Sequence, residues 1–274
     1  MKRHLVLPDR GVLLVSTDVH GNEEDMRKLE EIFLAERSVE PETHWVILGD
    51  VVHAPNHEAR VDRPDLYDFD DGSMRIVDRI VMLQREHDGH VHFVLGNHDH
   101  GHVGGPHPAK FYGDEVEALE AKLDANERGR LHAFLERSLL AVVARCGVLL
   151  THGSPDETLR DVRALDDVPL SVAAMTPEQR RMMRALLTSY GQTEAIALAM
   201  LANVGRPFGF ELTVVIHGHD RDESGYFREG SHQLCPCLFG APRANKRYVR
   251  LDLGARYKNA HALREDEELR LLYA

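Results

Sequence analysis

The sequence predicts an α/β protein with helices packed on a sheet. Two observations carry this reading. Short apolar runs rich in β-branched residues, at 12–15, 45–48, 91–95, 148–150 and 212–216, read as buried strands, and segments of helical periodicity alternate with them through the first third of the chain. After Ile216 the pattern changes to short segments punctuated by Gly225, Gly230, Gly240 and Pro242, ending in Tyr248, Val249, Leu251 and Leu253. These read as antiparallel strands, with a second sheet behind the first to bury them.

The helices follow from their caps and apolar stripes. Asn22 is a suitable N-cap before an acidic first turn and the stripe Met26, Leu29, Phe33. Ser73 stands in the same relation to Ile76, Val77, Ile80 and Leu83. In the middle, Thr176, Pro177 and Gln179 form a capping box with proline at the first helical position, followed by an Ala- and Leu-rich run over 194–202 whose apolar face is expected to pack on the sheet. The 274 residues show no internal repeat, low-complexity tract or long linker, so one domain over 1–274 is expected, with a helical insert over about 155–205.

Composition narrows the function classes. With 45 acidic against 33 basic residues the formal charge is −12, which argues against a surface that embraces a nucleic-acid backbone. It does not exclude an anionic substrate, because bound metal creates local positive potential. Cys146, Cys235 and Cys237 are too few for a disulfide framework, which points to a reducing cytoplasm. Cys235-Pro236-Cys237 has nothing paired to it at metal-ligand spacing and reads as a strand with two small, apolar-compatible residues, a redox-sensitive role being the lesser alternative. The basic Lys2 and Arg3 lead into a stretch broken by Pro8, Asp9 and Arg10, and no apolar run is long enough to span a bilayer, so an intracellular protein without membrane partners is expected.

The chemistry lies in the turn after each strand. The first run leads into Asp18-Val19-His20-Gly21, the second into Gly49-Asp50, the third into Gly96-Asn97-His98-Asp99, the fourth into Thr151-His152-Gly153 and the fifth into His217-Gly218-His219-Asp220. Each is a common turn when taken alone. Ligands of open α/β sheets bind outside the carboxyl ends of the strands, so five such turns can converge, and all five carry oxygen or imidazole donors. Hard oxygens mixed with imidazoles suit Mn, Fe or Zn.

This series resembles the calcineurin-like metallophosphoesterase family, from about residue 12 to about 253. Gly225-Tyr226, Leu238-Phe239-Gly240-Ala241-Pro242 and Val249-Arg250-Leu251-Asp252 further resemble the closing strands and loop of the phosphoprotein phosphatase branch. The resemblance implies a sandwich of two mixed β-sheets flanked by helices, with two divalent metal ions at the strand ends. Asp18 and His20 would hold the first ion, Asp50 would bridge, and Asn97, His152 and His219 would hold the second. Of the two late histidines, the one after glycine is the family's ligand, which leaves His217 behind it as support. His98 would be the general acid that protonates the leaving oxygen.

The chain also departs from that branch. Where the pattern continues Gly-Asp-x-x-Asp-Arg-Gly, this sequence reads Gly49-Asp50-Val51-Val52-His53-Ala54-Pro55, so His53 stands where a carboxylate would orient the catalytic histidine. Asp99 is the sequence's nearest substitute. A phosphate clamp is sought among Arg184, Arg206, Arg221, Arg243 and Arg247, with Arg221 and Arg243 preferred. The leading expectation is a phosphomonoesterase of the serine/threonine protein phosphatase type, acting on a phosphorylated protein or a small phosphoester. A nucleotide phosphodiesterase or dinucleoside polyphosphate hydrolase, and a weakly active metal- or phosphate-binding scaffold, are the alternatives.

Overall fold

The structure is a computed structural model that describes residues 1–274. In chain order its strands are β1 (His4–Val6), β2 (Val12–Ser16), β3 (Thr43–Ile47), β4 (Val91–Phe93), β5 (Ala141–Ala144), β6 (Val148–Leu150), β7 (Val214–Ile216), β8 (Tyr226–Glu229), β9 (Gln233–Pro236), β10 (Arg247–Asp252) and β11 (Leu269–Leu271). The helices are α1 (Glu23–Val39), α2 (His57–Asp62), α3 (Pro64–Tyr67), α4 (Ser73–Glu86), α5 (Asn97–His100), α6 (Glu115–Glu120), α7 (Ala125–Leu135), α8 (Pro177–Thr188) and α9 (Glu194–Gly205). No helix is long and apolar enough to cross a membrane.

The strands form two mixed sheets, ordered β1-β5-β6-β7-β9-β8 and β11-β10-β2-β3-β4. In the second, β2, β3 and β4 run parallel while β10 returns antiparallel to β2, with Val249 opposite Val15. The continuous apolar character of the strands has a direct cause, since both faces of each sheet are covered. Leu13, Val15, Val46 and Leu48 meet Val142, Val148, Leu150, Val214 and Ile216 between the sheets. Their alternating neighbours Val12, Leu14, Trp45 and Ile47 face outward onto Met26, Phe33, Ile76 and Ile80 of α1 and α4. The first sheet is covered the same way, with Val143, Leu149 and Val215 sharing a cluster with Met183, Leu186, Met200 and Leu201 of α8 and α9.

Local signals explain most helix starts. The Asn22 side chain accepts from the backbone N–H of Asp25, and Thr176 and Gln179 cap each other reciprocally at α8. Ser73 differs from expectation. It is the first residue of α4 rather than its cap, Gly72 holds the cap position, and the Ser73 hydroxyl instead donates to Asp71 while accepting from the His53 N–H at 3.1 Å. The short strands β1 and β11 were not expected from the sequence, and neither was β5, although Leu139 to Ala144 form an apolar run.

Candidate metal centre

The turns after β2, β3, β4, β6 and β7 converge at one edge of the sandwich. The fit is tight enough to require glycine. A Cβ on Gly96 would collide with Oδ1 of Asp50, and one on Gly218 would collide with Oγ1 of Thr17 and lie 2.5 Å from Oδ2 of Asp18. Asp18, His20, Asp50 and His219 all adopt left-handed backbone, with φ of 51°, 42°, 51° and 70°. Non-glycine residues held there cluster at functional sites, because the surrounding structure must over-determine them.

Backbone carbonyls fix how the imidazoles point. Nδ1 of His20 lies 3.1 Å from the Val52 carbonyl and Nδ1 of His152 lies 2.6 Å from that of Leu48. A carbonyl only accepts, so both rings carry the proton on Nδ1 and turn an Nε2 lone pair inward. These lone pairs meet further acceptors: Nε2 of His20 is 3.6 Å from Oδ2 of Asp50 and 3.8 Å from Oδ1 of Asp18. Nε2 of His152 is 3.5 Å from the same Asp50 oxygen and 3.0 Å from Oδ1 of Asn97, which also stands 2.8 Å from Nδ1 of His219. Acceptors converging on acceptors in a buried space are reconciled by cations. Burial drives the carboxyls of Asp18 and Asp50 above their usual range, a penalty on buried negative charge that divalent ions would relieve. The residues present therefore fit two ions, with Asp50 placed between the two histidine sets.

His98 sits beside these groups. Its ring stands edge-on to His20 with centroids 4.7 Å apart, and Nδ1 faces inward, 2.8 Å from Oε2 of Glu115 and 3.0 Å from Nδ1 of His53. Nε2 is left to face the cavity. Burial pushes the His98 ring down to about 4, with Glu115 pulling the other way. Burial alone would raise the Glu115 carboxyl, but the His53 and His98 imidazoles beside it outweigh burial and hold the group well below the carboxylate range. The contacts continue outward, from Nε2 of His53 to Nε2 of His102 at 2.9 Å, from Nδ1 of His102 to Glu120 at 2.8 Å, and from Glu120 to His132 at 2.8 Å.

Several expectations are corrected here. Asp99 does not orient His98: its oxygens accept from the backbone N–H groups of Asp50 at 2.7 Å, Gly96 at 2.9 Å and Val51 at 3.2 Å, so it braces the two turns instead. The carboxylate beside His98 is Glu115, which no strand-end motif marks. Arg243 is not at the cavity, since its guanidinium pairs with Glu24 at 2.8 Å and covers the Tyr273 ring. Arg247 pairs with Glu265 and Arg206 reaches Asn203. Arg221 does line the cavity, together with Lys110, Tyr190 and Phe239, around a volume of about 280 Å³. Neither cation has an ion-pair partner. The Lys110 ammonium stands 4.4 Å from the Phe239 ring centroid, and burial followed by Arg221 lowers its pKa. A second cavity of about 410 Å³ touches Asn97 and runs between Val172, Met183, Leu187 and the exposed Arg180 and Arg184 of α8. His53 contacts His98 as described, and His217 is fully buried behind His219.

The sequence profile of the calcineurin-like phosphoesterase family matches residues 11–221. The chain belongs to the calcineurin-like phosphoesterase family. No curated protein matches it in sequence. Among solved structures, a serine/threonine protein phosphatase from Saccharomyces cerevisiae with similarity to human phosphatase PP5 superposes with a TM-score of 0.61 at 16% identity, over 92% of this chain and 76% of that one. A cold-active protein-tyrosine phosphatase of a psychrophilic Shewanella superposes with a TM-score of 0.55 at 15% identity, over 94% and 82% of the two chains. These likenesses establish the fold. Two mixed sheets with flanking helices are what this calcineurin-like phosphoesterase shares with them.

Proposed function

We propose that the protein is a dinuclear-metal phosphomonoesterase of the protein phosphatase type. The observation that carries this reading is the juxtaposition, around one small cavity, of a cation-demanding donor set, a carboxylate-backed imidazole and two unpaired cations. Asp18, His20 and Asp50 would hold one ion, and Asp50, Asn97, His152 and His219 the other. Two divalent ions held there supply an activated water and neutralise charge on phosphoryl oxygens.

The remaining steps belong to side chains. Lys110 and Arg221 bind the non-bridging oxygens of the phosphoryl group, the guanidinium bidentately and the ammonium as a point charge. His98 holds a proton on Nε2 and delivers it to the leaving alkoxide or phenoxide, a contribution of about two to four orders of magnitude in rate. Glu115 orients that ring and favours its protonated form. The cavity beside Asn97 accommodates the leaving group, and Arg180 and Arg184 give it a preference for acidic surroundings in a phosphopeptide. Both named structural neighbours are protein phosphatases, of serine/threonine and tyrosine type respectively.

The test is hydrolysis by the manganese-loaded protein of an aryl phosphomonoester, an aryl phosphodiester, and phosphoserine, phosphothreonine and phosphotyrosine peptides. Monoester and peptide cleavage are expected, with Asp50→Asn and His98→Asn inactive yet folded. Diester cleavage without monoester cleavage would replace this reading by the phosphodiesterase one.

A further inference from the structure

Next to the 217–220 turn lies a second convergence of acceptors. His217 is fully buried, and its Nδ1 stands 2.9 Å from the Gly218 carbonyl oxygen, which places the proton on Nδ1 and a lone pair on Nε2. That Nε2 is buried and has no hydrogen-bond partner. The buried Oδ2 of Asp220 has none either. Between them comes a thiol: Cys235 lies on β9, which pairs in parallel with β7 so that Leu234 is opposite Ile216 and the His217 N–H donates to the Leu234 carbonyl at 2.9 Å. Ligand atoms of His217, Asp220 and Cys235 all lie within 4.8 Å of one another, and Sγ of Cys237 is 4.0 Å from Sγ of Cys235.

Two buried acceptors without a donor call for a proton or an ion between them. The donor set decides between the two. In tetrahedral zinc sites with Zn–S bonds of about 2.3 Å, sulfur atoms stand about 3.8 Å apart, close to the observed Cys235–Cys237 separation. Thiolate and imidazole together select zinc over manganese or magnesium. We propose that His217 Nε2, Asp220 Oδ2 and Cys235 Sγ, with Cys237 Sγ as fourth ligand, bind a structural zinc ion separate from the dinuclear centre. Each thiol gives up its proton to solvent as the Zn–S bond forms, and no electron is transferred. The ion clips the end of β7 to β9 and so fixes the turn that carries His219 and Arg221. Cys235 lies on a buried strand as expected, and an ion there would draw its other ligands from strand pairing and the adjoining turn rather than from sequence spacing.

The experiment is cobalt(II) titration of the metal-free, full-length protein. Thiolate ligation gives a near-ultraviolet sulfur-to-cobalt charge-transfer band, which a centre of oxygen and nitrogen ligands cannot produce. The expected result is such a band in the wild type, its loss in Cys235→Ser, and its weakening in Cys237→Ser, with one fewer zinc equivalent retained by Cys235→Ser on elemental analysis. Absence of the band in the wild type at saturating cobalt, or its persistence in Cys235→Ser, overturns the proposal. Should Cys235→Ser fail to fold, an unchanged band in Cys237→Ser counts against the four-ligand site and a weakened one supports it. None of these readouts depends on hydrolysis.

Discussion

Glu115 is the proposed partner of His98 in proton delivery. Its carboxylate lies 2.8 Å from Nδ1 of His98 and is the group that opposes the effect of burial on that ring. A general acid works only while protonated, so activity falls as pH rises through its pKa. Removing the carboxylate charge lowers that pKa, and the descending limb of the pH–kcat profile of Glu115→Gln should move to lower pH, with kcat down by about ten- to a hundred-fold and KM little changed. Glu115→Asp should recover part of the loss. A merely structural role would lower both profiles without moving the limb. Lys110→Met should act oppositely, raising KM for an aryl phosphate while the pH limb stays in place. The sequence announced the candidate ligands because each lies in a glycine-containing turn after a strand. Glu115 and Lys110 were invisible to that reasoning, since the segment carrying them follows no strand and reaches the site only through tertiary packing. Arg243 was misplaced for the complementary reason: an arginine's reach is set by partners such as Glu24 and Tyr273 that no local pattern reveals.

At the level of elements, the turns are as specific as the side chains they present. A methyl group on Gly218 would collide with Thr17 and Asp18, both buried. Gly218→Ala should therefore weaken metal retention and cost about 1–3 kcal/mol of stability through overpacking, measured by elemental analysis and urea unfolding. The strands behind the turns carry a different sensitivity. His44 of β3 and His92 of β4 are neighbours, with Nδ1 of His44 3.2 Å from Nε2 of His92. Burial, and then the other histidines of this cluster, push them down to about 4 and about 3. Their folded values lie below the unfolded one near 6.5, so the unfolded chain takes up protons first. Their contribution is complete above about pH 6.5 and declines as pH falls toward 4. The urea midpoint should drop over that window, and His92→Gln should flatten the drop. Element placement was largely legible, because apolar runs and caps are local properties. The strands missed, β1, β5 and β11, owe their existence to partners: β1 and β11 are three residues each and β5 is paired on both edges, so pairing rather than pattern defines them.

For the molecule as a whole, the two sheets contribute unequally to the proposed centre. Asp18, His20, Asp50 and Asn97 follow strands of one sheet, and His152 and His219 follow strands of the other. A ligand that binds only the folded state stabilises it by mass action. Prolonged chelation should thus lower the unfolding temperature as well as abolish hydrolysis, and manganese should restore both, as followed by scanning calorimetry. That there are two sheets is as expected, but the strands after Ile216 do not form the second one: β8 and β9 extend the sheet of β7, while β10 and β11 extend that of β2. The sequence could not show which turns face each other across the sandwich, a matter of packing.

That division of ligands has a mechanical corollary. An ion held by Asp18, His20 and Asp50 would rest on one sheet and tolerate small slippage, whereas one held by Asp50, Asn97, His152 and His219 would span the seam and work as a rivet. Sliding one layer against the other, by heat or hydrostatic pressure, should eject the seam ion first and leave a half-loaded, still folded protein. Metal content measured along such a ramp would thus fall in two steps, and the first would serve as a gauge of shear between the layers.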